Sequence, residues 1–196
     1  MASLAKIKVP SKRALYAQKK VQEAVETLLG SNDVSSLISC KKGCSACCHT
    51  QVSITDDEAE LFAELLMSGH DVDIKKLQKQ KEAGNDAGKW YQLSYEERGC
   101  IFLDKAHNCS IYDKRPMVCR SNYVLSNPLQ CDTSSGKESP VRMLNTEIPD
   151  MLMMGAFLFC KKNGAMPSLL WKTMERWGQS KKKISKKIMH RLYPER

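Results

Sequence analysis

"CKKGCSACC", residues 40–48, packs four of the chain's nine cysteines into nine positions. Whether these thiols form disulfides, hold a metal, react or fill a core decides how the rest of the chain is organised. Disulfides need an oxidising compartment, and an odd count leaves one thiol unpaired. The opening MASLAKIKVPSKRALYAQKK contains no apolar run of secretory length and no convincing cleavage site. It is Lys-rich rather than Arg-rich and interrupted by Pro10, unlike an organellar transit peptide. The most apolar stretch, MLMMGAFLFC at 151–160, is about half the length needed to cross a bilayer and predicts a buried helix. A soluble, cytoplasmic protein with reduced thiols is expected, which turns attention to metal or redox chemistry.

The spacing supports a metal. Cys44-x2-Cys47 is a short loop in which two thiolates turn toward one ion, and Cys40 and Cys48 flank it. Side chains on adjacent residues diverge, so Cys47 and Cys48 fit poorly on a single tetrahedral ion, and a second ion or a bridged cluster is expected. Cys100, Cys109 and Cys119 follow in GCIFLDKAHNCSIYDKRPMVCRSNY, and Cys131 in SNPLQCDTSSG could complete an eight-thiol set. No zinc finger has such gaps, so tertiary folding must gather the ligands and the metal would staple the domain. His49 and His107 adjoin these cysteines, and either could replace a thiolate in a Cys3His site, although a solvated or supporting role is the simpler expectation. Cys160, at the end of the apolar run, reads as a core thiol, and His70 and His190 suggest no chemistry.

The order Cys40-x3-Cys44-x2-Cys47-Cys48, then Gly99-Cys100, then Cys109-Ser110-Ile111-Tyr112-x2-Arg115-Pro116-x2-Cys119-Arg120, resembles the cysteine-cluster (CxxCxxCC-type) family of zinc- or iron-chelating domains. The resemblance covers roughly residues 40–131 and implies metal binding, with zinc, iron and an iron-sulfur cluster all open. Some proteins similar to this family methylate lysines of flagellin. The three-residue gap after Cys40 departs from the two that the family often has.

Pro116 is suited to the first position of a helix, which would put Cys119 in a first turn where free amides favour a thiolate. Arg115 and Arg120 would then offset the negative charge of a thiolate-bound ion, or pair with Asp104 or Asp113. Elsewhere the chain reads as helical. Thr55-Asp56-Asp57-Glu58 fits a capping box ahead of Leu61, Phe62, Leu65 and Leu66, and Gly69 closes the run. Ser11–Leu29 repeats Leu15, Val21, Val25, Leu28 and Leu29 at helical spacing, and a further helix from Asp73 turns Ile74 and Leu77 inward. Strand signals are weak. The expected fold is mainly α, a small helical domain with irregular cysteine-rich loops gathered around a metal site. Residues 36–135 would form the metal-binding domain, with a basic helical extension at 1–35 and C-terminal helices with a basic tail at 136–196.

The net charge of +9 is unevenly placed, with six basic and no acidic residues in 1–20 and eleven basic against two acidic in 161–196. The middle is therefore acidic. Lys181, Lys182, Lys183, Lys186 and Lys187 could touch nucleic acid, although Leu170, Met174, Trp177, Ile184, Ile188 and Leu192 share a helical face that makes an amphipathic cover the simpler expectation. No Walker loop or dinucleotide fingerprint is present. Three functions remain: a metal-binding module with a partner, an iron-dependent redox or modifying enzyme, and a nucleic-acid-associated module.

Overall fold

Thr55 and the acidic turn after it begin the central helix of the fold. A computed structural model describes residues 2–41, 43–135 and 139–179. Chain order gives α1 (Ala2–Ala5), α2 (Pro10–Leu29), α3 (Asn32–Leu37) and then α4 (Asp56–Met67). At its start Glu58 N donates to Thr55 Oγ1 at 3.2 Å while Thr55 N donates to Glu58 Oε2 at 3.2 Å, so the capping box is closed in both directions. Leu61, Phe62 and Leu66 are buried and Leu65 half-buried, as their spacing predicts. Gly69 ends the helix at φ +101°, a left-handed conformation costly for a side chain with a Cβ.

Two layers close over α4. On one side lies α2, which buries Ser11, Ala14, Ala17, Gln18, Val21 and Val25. The buried face of α2 is thus partly made of small residues, and Leu15, expected inside, lies off that face and is exposed. Arg13 donates from two guanidinium nitrogens to the two Asp57 oxygens at 2.7 and 2.6 Å, and Gln18 Nε2 donates to Glu58 Oε1 at 3.1 Å. On the other side α5 (Ile74–Glu82) and α10 (Met166–Gln179) pack Leu77, Leu170, Trp171 and Met174 against Phe62 and Phe102. Each such large side chain contributes about 1.5–3 kcal/mol on burial.

The short helices α6 (Ala87–Gln92), α7 (Tyr95–Arg98) and α8 (Met117–Ser121) punctuate the cysteine-bearing loops, and α9 (Glu147–Phe159) precedes α10. Weak strand signals correspond to β1 (Ser53–Thr55) and β2 (Asn163–Ala165), an antiparallel pair with Ile54 opposite Gly164. A Cβ at Gly164 would lie 2.8 Å from Asn85 Oδ1, which accepts from Ala165 N, so this pairing needs glycine for close approach. The fold is mainly α with irregular cysteine-rich loops.

One expectation is corrected. The 151–159 run is helical, but among the described residues only one side of α9 is covered, chiefly by α2 and α8 through Pro149 and Ala156. Among the residues anticipated on the final helical face, Leu170 and Met174 are buried and Trp177 donates its indole N–H to Glu60 Oε2 at 2.6 Å. Lys181, Lys182, Lys183, Ile184, Lys186, Lys187, Ile188, His190 and Leu192 lie outside the described residues. No helix among the described residues is long and apolar enough to cross a membrane.

Candidate metal centre

Four stretches bring the cysteines into one neighbourhood. Cys40 follows α3 in extended chain, fixed where Ser39 N donates to Val124 O at 2.9 Å and Val124 N to the Cys40 sulfur at 3.3 Å. Cys44 N donates back to Lys41 O at 3.0 Å in a turn that uses Gly43 at φ +86°, which accommodates the three-residue gap. Cys47 and Cys48 sit in a 3-10 turn, Ala46–His49, and Cys48 O accepts from Cys100 N at 2.8 Å. Cys109 pairs with Leu103 across a hairpin-like turn whose Asp104 Oδ1 accepts from Ala106 N and Asn108 N, both at 2.8 Å. Cys119 is in α8, and Cys131 ends a 3-10 turn, Pro128–Cys131, that touches the Ala46–His49 turn.

Electrostatics ties these thiols together. Cys131 is influenced by Cys40, Cys44 and Cys47; Cys48 by Cys47, Cys100 and Cys119; and Cys119 by Cys100, Cys47 and Cys109. Cys47 is the common neighbour. Its thiol is held down to about 6, first by a hydrogen bond from Cys48, against the opposing effect of burial, and then by one from Asn122. The donor Cys48 is pushed far up by that bond and by burial. Burial raises Cys100 to about 12 and also lifts Cys40, Cys109, Cys119 and Cys131. Several thiolates cannot share one poorly solvated pocket without a counter-cation, and a bound divalent ion inverts that preference.

Two expectations about Cys119 change. Pro116 precedes the first helical residue rather than occupying it, so Cys119 is the third residue of a five-residue helix. Its thiol is raised rather than favoured as a thiolate, because burial outweighs anything so short a helix supplies. The arginines are also placed differently. Among the described residues neither pairs with the carboxylate of Asp104 or Asp113. Arg120 donates to the carbonyls of Asp113 at 2.6 Å and Arg115 at 3.1 Å, and to Gln22 Oε1 at 3.0 Å. Arg115 lies 4.0 Å over the Tyr112 ring, is 8 % exposed, and keeps a buried Nε–H without a partner. That guanidinium acts on Cys47 and Cys109.

No three cysteine sulfurs among the described residues lie within 4.8 Å of one another; the one such group is Asp56, Asp57 and Cys160. This acidic group does not resemble a free chelate, because Asp57 is already held by Arg13 and the Cys160 thiol is pushed up to about 12, chiefly by burial. The eight cysteines form an open neighbourhood. An all-sulfur donor set and an orphaned guanidinium N–H beside it fit a negatively charged metal–thiolate group.

The histidines differ in setting. His49 is buried, stacks on Tyr95 at 3.9 Å between ring centroids, and its Nδ1 is 3.3 Å from Ser45 O; burial lowers its pKa. A Cβ at Gly99 would come 3.4 Å from His49 Nε2 and 3.2 Å from Glu96 O, which explains the glycine before Cys100. His107 is exposed at φ +59° in the hairpin turn. His70, given no role by the sequence, has Nε2 2.9 Å from Ser110 Oγ beside Cys109.

Sequence reasoning missed the polar supports. Gln80 Nε2 donates to Glu97 O at 2.6 Å and Gly99 O at 2.8 Å, fixing the approach to Cys100. Arg98, buried against Tyr91 and Tyr95, donates to Thr133 Oγ1 at 2.9 Å and Thr133 O at 2.8 Å, anchoring the loop after Cys131. Glu58 Oε1 accepts from Met117 N at 2.8 Å and so ties α8 to α4. The Ser94–Glu97 capping signature was the one available hint of this region.

No curated protein and no solved structure matches the chain. A family model, CxxCxxCC, described as "Putative zinc- or iron-chelating domain", matches residues 39–138, which spans every cysteine of the neighbourhood. The chain belongs to this cysteine-cluster family of zinc- or iron-chelating domains.

Proposed function

We propose that Cys40, Cys44, Cys47, Cys48, Cys100, Cys109, Cys119 and Cys131 bind zinc or iron as thiolates, in a centre that staples the loops of residues 36–135 to the flanking helices of 1–35 and 136–196. The observation that carries this reading is the shared neighbourhood of Cys47, reached from four distant stretches and bordered by the orphaned Arg115 N–H. Eight sulfurs exceed the four that one tetrahedral ion takes. Two ions or one cluster are therefore expected, with Cys40, Cys44 and Cys131 on the side of Cys47, and Cys100, Cys109 and Cys119 on the side of Cys48. Nine free thiols fit a reducing compartment such as the cytoplasm.

A second reading, an iron-dependent redox or modifying centre, is favoured by the exposure of Cys44. An exposed ligand gives solvent or a reactant an approach to the ion. Elemental analysis and an absorption spectrum of protein purified without oxygen test both readings, with a Cys47→Ser, Cys119→Ser variant alongside. Zinc without colour supports a structural centre, and iron with charge-transfer bands lost in the variant supports the reactive one. Absence of metal from a folded wild-type chain refutes both.

A further inference from the structure

From Met151 to Phe159, helix α9 is apolar around its whole circumference, a pattern belonging to helices covered on every side. Yet Ile148, Met151, Leu152, Met154 and Leu158 are 42–77 % exposed. Isolated exposed apolar residues are ordinary, but five on one helix form a contiguous patch of the kind that marks an interface. Ile148, Met151, Gly155 and Leu158 follow at steps of three, four and three residues, the spacing of a seam between two helices, and Gly155 permits close approach.

Charge decides the occupant. Exposed Glu147 and half-buried Asp150 stand at the start of α9, and exposed Lys161 and Lys162 follow its end. None of Glu147, Lys161 and Lys162 takes part in an ion pair among the described residues. An antiparallel copy of α9 sets each acidic end against a basic end. An anionic membrane or a basic peptide matches only one end. We propose that α9 is a self-association face, on which a second copy of this chain packs its own α9 antiparallel about a two-fold axis. A 13-residue helix is about 20 Å long and offers less than the usual interface of about 800 Å² per partner, so reversible association is expected rather than an obligate dimer.

Sedimentation equilibrium of the full chain across the micromolar range tests this. The expected result is a reversible species of twice the 22.2 kDa chain mass. Met151→Glu with Leu158→Glu should weaken association at least about tenfold, with helical circular dichroism unchanged. The decisive arm is a charge swap. Glu147→Lys alone, and Lys161→Glu with Lys162→Glu alone, each set like charges together at both ends and should be monomeric, whereas their mixture should form a heterodimer. A wild-type monomer throughout the range, a dimer indifferent to the double glutamate variant, or swapped chains that fail to combine would each overturn the proposal. Association with anionic vesicles by a monomeric chain would assign the face to a membrane instead and equally overturn it.

Discussion

Around α4, apolar side chains of α5 and α10 and Ala14 of α2 close into one core, whereas among the described residues the stretches carrying Cys40 to Cys48 and Cys100 to Cys131 contain no helix longer than five residues and lend that core Ile101, Phe102 and Ile111. The first region is held by burial and by closed caps such as Thr55–Glu58. The second has short turns, an isolated bridge at Leu103–Cys109 and single hydrogen bonds to its neighbours. Where the two meet, Cys100 and Cys109 pack on the core, and Glu58 reaches from α4 to Met117. The helical core therefore sets where the loops begin and end, and in the function proposed above a bound metal would hold the loops between those points.

Removing metal should break the comparison most sharply. Chelation under reducing conditions should raise amide exchange across residues 100–119 and 128–135 at least about tenfold while α4 and α10 hold their protection, measured by hydrogen-exchange mass spectrometry. Phe62→Ala attacks the other region and should cost about 3–5 kcal/mol, read from urea unfolding, with both regions lost together.

Glu58 joins the regions, and its effect depends on pH. Burial raises its pKa above 4.5, so the folded chain binds its proton more readily than the unfolded chain does. Its stabilising contribution is thus present below 4.5 and lost as pH rises through the folded value. Glu58→Gln should flatten the decline in urea midpoint with rising pH. Smallest is Thr55→Ala, which opens one capping box and should cost about 1 kcal/mol in the same assay, without releasing metal.

Much of the helical region was legible because its signals are local. Thr55 to Gly69 carries its cap, apolar spacing and stop within one short segment, and Asp73 caps α5 by accepting from Lys76 N. The cysteine neighbourhood was legible from order and spacing. What escaped depends on partners distant in sequence. Leu15 was placed inside because apolar periodicity does not reveal that α2 turns the small Ser11, Ala14 and Ala17 inward instead. The β1–β2 pair joins three-residue strands more than a hundred residues apart, one containing Gly164. The buried polar contacts of Gln18, Gln80 and Arg98 have no periodic signature. The outward side of α9 escaped because a helix apolar all round looks buried from its sequence.

X-ray absorption at the zinc and iron edges of the purified full-length chain tests the thiolate centre most directly. The expected first shell is sulfur alone, at about 2.3 Å if the metal is zinc. A first shell of nitrogen and oxygen at about 2.0–2.2 Å, or no bound metal in the folded chain, would contradict it.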